Sequence, residues 1–189
     1  MTNTESLIKK VIEEIDPSLE FISPYMGSHR EAVVARKGRA GLFAIKYISS
    51  SHRPSKQRMD REIEALQTAG KIPGINPLVE VYDQKRYQAL LRKILGGRTT
   101  LEAARVSLNT LQQKKLENTV RELHNKGIVD LGIHRGNIVV SLSEEEEKII
   151  SVGKARIANS YSWATKEHYS LEKFEGMKST DKKGLKRLT

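Results

Sequence analysis

The chain has 189 residues, 38% of them hydrophobic, which is enough for the core of one domain or of one domain divided into two small lobes. Its 33 basic residues against 23 acidic ones give a net charge of +10, a balance that suits contact with a polyanion or a solvated basic surface. The absence of cysteine excludes disulfides and thiolate metal sites, and the five histidines (29, 52, 124, 134 and 168) lack the spacing of a metal-binding set.

No apolar run approaches the length of a membrane-spanning helix. Met1-Thr2-Asn3-Thr4-Glu5 has no basic region ahead of an apolar stretch, so neither a transmembrane segment nor a signal peptide is expected and the cytoplasm is the expected location. Six tyrosines, three phenylalanines and one tryptophan occur without aromatic-basic alternation.

Residues 4–15 predict an amphipathic helix with Leu7, Val11, Ile12 and Ile15 on one face, Thr4 or Ser6 as cap, and Asp16-Pro17 as stop. Residues 19–48 predict an antiparallel meander. It consists of a short alternating strand from Leu19, a turn at Gly27-Ser28-His29-Arg30, a β-rich run at 32–35, a hairpin turn at Lys37–Gly41 and a strand at 42–48. A helix over 55–69 follows, with Met59, Ile63 and Leu66 as its inner stripe, and the glycines and prolines of 70–77 break it. Residues 78–82 and 87–91 read as paired strands, and Ile94-Leu95-Gly96-Gly97 reads as a hinge.

Beyond the hinge the pattern becomes helical. A short helix starts over 100–104, and a longer one over 111–126 turns Leu116, Val120 and Leu123 inward. A polar loop leads to strands at 138–142 and 148–152, joined by the acidic run Ser143–Glu147, which reads as a solvated turn. Residues 163–175 predict a helix, and Lys182–Arg187 form a basic end.

The helix end at Leu123-His124, the loop closing on Asn137, and Ala44-Ile45-Lys46 on a strand after a glycine turn carry a resemblance. The chain resembles the protein-kinase-like superfamily, and within it the small bacterial atypical members grouped with RIO and lipopolysaccharide-core kinases. The resemblance covers about residues 20–160. It implies an α+β, two-lobed protein-kinase-like fold: an N-terminal helix at 1–18, a small antiparallel N-lobe at 19–95, and a minimal, truncated helical C-lobe at 96–189, all forming one domain. No activation segment ending in Ala-Pro-Glu is found.

In that family the lysine matching Lys46 holds the α- and β-phosphates of ATP, and the alanine matching Ala44 lies against the adenine. The bland alternative is a surface lysine at a strand end. Glu62 is the implied partner of Lys46, with Glu64 as alternative. Of the glycine-rich loop, Gly27 matches the middle glycine. The flanking positions fall near Tyr25 and Arg30, so backbone amides would approach phosphates badly, although His29 and Arg30 would offer charge. Arg92 or Lys93 falls near the adenine edge, where an apolar residue is usual, unless both face water.

The catalytic loop is the decisive place. Leu123 and Asn137 stand fourteen residues apart, the family's spacing, so no gap is needed. Asp130 then falls on the family's histidine and Gly132 on its catalytic aspartate, while Asn137, a magnesium ligand in the family, is retained. At the next landmark Ser151 replaces the aspartate that carries the metal, and a neutral hydroxyl does not replace a carboxylate there. Loss of the base alone is worth about 10²–10⁴-fold in rate. The resemblance therefore implies a catalytically impaired pseudokinase that binds ATP weakly, with or without magnesium, through Gly27, Ala44, Lys46, Glu62 and Asn137, and acts by binding a partner protein. One alternative is an active atypical kinase of proteins, sugars or lipopolysaccharide in which Asp130 takes the catalytic place through two compensating length changes. Another is a basic module that holds nucleic acid.

Overall fold

A computed structural model of the chain describes residues 3–25, 30–38, 41–94, 98–141, 147–149, 156–157 and 171–188. The structure is mixed α+β and divides into two compact units, one of residues 1–63 and 77–95, the other of 64–76 and 96–189. Among the described residues no helix is long and apolar enough to cross a membrane.

The first unit is built on a five-stranded antiparallel sheet in the order β1-β2-β3-β5-β4. Its strands are β1 (Leu19–Pro24), β2 (Glu31–Arg36), β3 (Leu42–Ser49), β4 (Leu78–Asp83) and β5 (Tyr87–Lys93). The expected meander is present in β1 to β3. The later hairpin joins by its second strand, so β5 lies beside β3 and β4 forms the edge. Because alternate residues point to opposite faces, the sheet has two distinct sides.

One side is closed by α1 (Asn3–Ile15), whose Ile8, Val11, Ile12 and Ile15 pack with Leu19, Ala32, Val34, Ile45, Tyr47, Ala89 and Leu91. Leu7 does not belong to this stripe. It is 63% exposed, and Ile8 takes its place because positions 8, 11, 12 and 15 stack on one helical face. Nor do Thr4 and Ser6 cap the helix, since both already lie inside it. The stop is as expected: Asp16 ends the helix, and its carboxylate accepts from the Ser18 amide at 2.8 Å. The other side of the sheet carries Ala44, Lys46, Ile48, Gln88, Leu90 and Arg92, and α2 (Arg53–Ala69) brings Met59, Glu62 and Ile63 to burial. Asp60 of α2 accepts from Gln88 at 2.6 Å.

In the second unit, Gly70, with φ of +62°, ends α2 in the left-handed conformation that glycine adopts readily. The following turn docks onto α4 (Thr110–Asn125), where the Thr119 hydroxyl donates to the Pro73 carbonyl at 2.8 Å. Helix α4 begins with a capping box, Asn109 and Gln112 satisfying each other's backbone amides. Its Leu116, Val120 and Leu123 are buried as the periodicity predicts.

Several short elements exceed what the sequence predicts. β6 (Arg98–Thr100) precedes the short α3 (Leu101–Ala104), and β7 (Ile128–Val129) follows α4 where a polar loop was expected. β6 pairs with β8 (Ile138–Ser141), which pairs with β9 (Glu147–Ile149). β7 pairs with β10 (Arg156–Ile157). The last helix, α5, runs Leu171–Lys186, so the basic end is helical and most of it lies C-terminal to the expected 163–175. Residues 163–170, and 143–146 of the expected acidic turn Ser143–Glu147, lie outside the described residues, while Glu147 opens β9.

Candidate functional site

Two clusters are brought together, one within each unit. In the first unit the antiparallel register sets Lys46 opposite both Glu31 on β2 and Leu90 on β5, and Ala44 opposite Arg92. Glu31, Ala44, Lys46, Leu90 and Arg92 therefore share the face that does not meet α1. Into this face α2 delivers Glu62, which is 1% exposed.

The four charged groups close into a ring of alternating sign. Lys46 Nζ lies 2.5 Å from Glu62 Oε2 and 4.0 Å from Glu31 Oε1. Arg92 lies 3.7 Å from Glu62 Oε1 and 3.9 Å from Glu31 Oε1. Of the two candidate glutamates, Glu62 is the one that meets Lys46, and it is buried. Arg92 is 3% exposed, so it does not face water, whereas Lys93 does. Burying a guanidinium and a carboxylate is tolerable only because each has opposite charges beside it. Ala44 is buried beside Lys46 on the same face. The Arg30 guanidinium lies 3.4 Å from the Ser55 hydroxyl. Gly27 and His29 fall outside the described residues.

The second cluster is the loop from α4 to β8. Gly127 leaves the helix at φ of +77°, and β7 carries the chain to Asp130. Asp130 has φ of +58° and Gly132 +63°, so the backbone turns left-handed twice around buried Leu131. That conformation is cheap for glycine and costs an aspartate about 1–2 kcal/mol. The loop is pinned from below by a residue the sequence reading missed. Asp181 on α5 is 2% exposed and uses both oxygens: Oδ1 accepts from the Leu131 amide at 2.8 Å, and Oδ2 lies 2.9 Å from His124 Nε2. A carboxylate can only accept, so the imidazole proton sits on Nε2.

Beyond Gly132 the loop folds onto itself. His134 caps a 3-10 turn at Arg135–Asn137, its Nδ1 accepting from the Gly136 amide. Arg135 donates to the Val106 carbonyl at 2.5 Å. Asn137 Nδ2 donates to the Gly132 carbonyl at 3.0 Å. A Cβ at Gly136 would come within 2.6 Å of a Glu102 carboxylate oxygen, the end of a flexible exposed side chain that can swing away. Gly132 and Asn137, which the fourteen-residue spacing singled out, are thus linked directly, with Asp130 two residues before Gly132. Ser151 lies outside the described residues. Among the described residues no group of three or more His, Asp or Glu side chains could hold a metal ion.

The signal that could have found Asp181 is its isolation. It is the only acid after Glu175 and stands among five cations, yet it lies four residues after Met177 and seven before Leu188, on the helix's inner side. No family model matches the sequence, and no curated protein matches it.

Proposed function

We propose that this protein is a catalytically impaired member of the protein-kinase-like superfamily, a two-lobed scaffold that acts by binding a partner protein rather than by transferring phosphate. The observation that carries the reading is the loop at Gly132. The position that the spacing assigns to the proton acceptor holds a left-handed glycine, and Asn137, the nominal magnesium ligand, donates to that glycine's carbonyl. Phosphoryl transfer rests on positioning and charge neutralisation, and a hydrogen atom at 132 together with a hydroxyl at 151 supplies neither. The Lys46–Glu62 pair supports the same reading, since it keeps the phosphate-side cation in place without the carboxylates that would use it. ATP binding on this reading is weak and gains little from magnesium.

Calorimetry with ATP, with and without magnesium, tests the proposal. Tight, magnesium-dependent binding contradicts it. Radiolabelled transfer to any protein or saccharide acceptor that disappears in Asp130→Ala would establish the active atypical kinase instead.

A second reading, contact with a polyanion, is favoured by one observation. Lys178, Lys182, Lys183 and Lys186 lie along the last turns of α5 and Arg187 follows them, so that, with Asp181 among them, residues 178–187 carry +4 of the chain's net charge of +10. Binding to DNA or RNA that falls steeply with salt would support it. No binding at low salt would remove it.

A further inference from the structure

We propose that the Arg92 guanidinium fills the part of the β3–β5 face against which a purine would lie, so that the nucleotide-binding face is shut to adenine while Lys46 remains able to meet phosphate. The inference rests on the kinase-like reading of Ala44 and Lys46 and goes beyond it. Arg92 faces Ala44 directly in the antiparallel register, two residues along from the pair Lys46 and Leu90. Their immediate neighbours Ile45 and Leu91 belong to the α1 core, so Ala44, Lys46, Leu90 and Arg92 point to the opposite side. At 3% exposure the Arg92 side chain is packed over this face rather than extended into water.

Charge holds it there. Glu62 Oε1 and Glu31 Oε1 lie within 3.9 Å of the guanidinium. Displacing it would take one of two neighbouring cations from Glu62, the most buried of the four charges. A ligand that stacks on Ala44 must break that arrangement before it gains any contact. A ligand that presents only phosphate competes for Lys46, which keeps about a quarter of its side chain exposed. The site so described recognises the anionic tail of a nucleotide and is indifferent to its base, and ATP affinity is expected no better than about 1 mM.

The test compares three ligands by calorimetry on the full chain: ATP, inorganic triphosphate and adenosine. The wild-type protein is expected to bind ATP no more than about threefold better than triphosphate, and adenosine not at all. ATP binding more than tenfold tighter than triphosphate overturns the proposal. If that binding is also lost in Lys46→Ala, the kinase-like reading survives and only the blockade by Arg92 is wrong. The second arm is Arg92→Met combined with Glu31→Gln, which removes one charge of each sign and leaves Lys46 and Glu62 as a simple pair. Folding is checked by circular dichroism and a cooperative melt. The folded double variant is expected to gain at least tenfold for ATP over triphosphate. A folded variant with no purine preference overturns the inference, and one blind to all three ligands overturns the nucleotide-site reading with it. The wild-type arm decides by itself if the double variant does not fold.

Discussion

Replacing Asp181 by alanine removes a side chain that ties α5 both to the end of α4 and to the loop at Leu131. Its carboxylate is 2% exposed and makes contacts of 2.8 Å to the Leu131 amide and 2.9 Å to His124 Nε2. Both donors are buried, so each is left without an acceptor in a dry interior, at about 1–3 kcal/mol apiece. The expected loss is about 2–6 kcal/mol, a large part of the roughly 5–15 kcal/mol that holds a typical domain. Asp181→Asn keeps one acceptor oxygen but turns an amide N–H₂ toward the other donor, and about 1–3 kcal/mol is expected. Urea unfolding followed by circular dichroism measures both. A double-mutant cycle with His124→Phe is expected to show about 1 kcal/mol or more of coupling, because the two residues share a contact. A loss below about 0.5 kcal/mol for Asp181→Ala would refute the idea that this carboxylate fixes the loop.

Three further outcomes follow from the same contacts. Glu62→Ala leaves the buried Arg92 with Glu31 as the remaining carboxylate of the ring, and about 3–5 kcal/mol of stability should be lost in the same urea assay. A loss confined to the range of exposed ion pairs, below about 1 kcal/mol, would show that the ring is not packed as described. Gly74→Ala places a Cβ within 2.3 Å of the Thr119 hydroxyl at a backbone φ of +85°, so it should destabilise by about 1–3 kcal/mol in thermal melts, whereas an unchanged melt would contradict the docked turn. Burial pushes the Asp16 carboxyl up, but hydrogen bonds from the Ser18 side chain and backbone and from the Tyr82 hydroxyl, with Arg36 nearby, outweigh it and leave the group below its ordinary value. A lowered carboxyl contributes stability that is present above the unfolded pKa of about 4 and is lost as pH falls through the folded value. Thermal melts of wild type and Asp16→Asn should therefore differ at neutral pH and converge below about pH 4, and a constant difference would contradict the assignment.

How much of this was legible in the sequence depended on the range of the forces involved. The stripes of α1, α2 and α4 and the β-rich run of β2 follow from local periodicity, and the structure has them at nearly the expected positions. Leu7 for Ile8 is an error of one residue in phase: at about 100° per residue Ile8 falls inside the arc of Val11, Ile12 and Ile15 and Leu7 at its margin. The two-residue β7 was hidden because Ile128-Val129 is too short to show alternation and is held by pairing with β10, far along the chain. Lys46 with Glu62 could be anticipated from the order of elements. The burial of Arg92 could not, because it depends on two carboxylates supplied by β2 and α2. Asp181 was missed for the same reason: its partners lie fifty and fifty-seven residues away, and the cations around it masked a residue facing inward.

The central claim is that a kinase-like scaffold has lost its chemistry at Gly132. Incubating the protein with radiolabelled ATP and magnesium, alongside Lys46→Ala and Asp130→Ala, and counting label on the chain itself and on added acceptor proteins tests it most directly. The account predicts that wild type incorporates no more label than Lys46→Ala. Incorporation that exceeds that background and vanishes in both variants would contradict it.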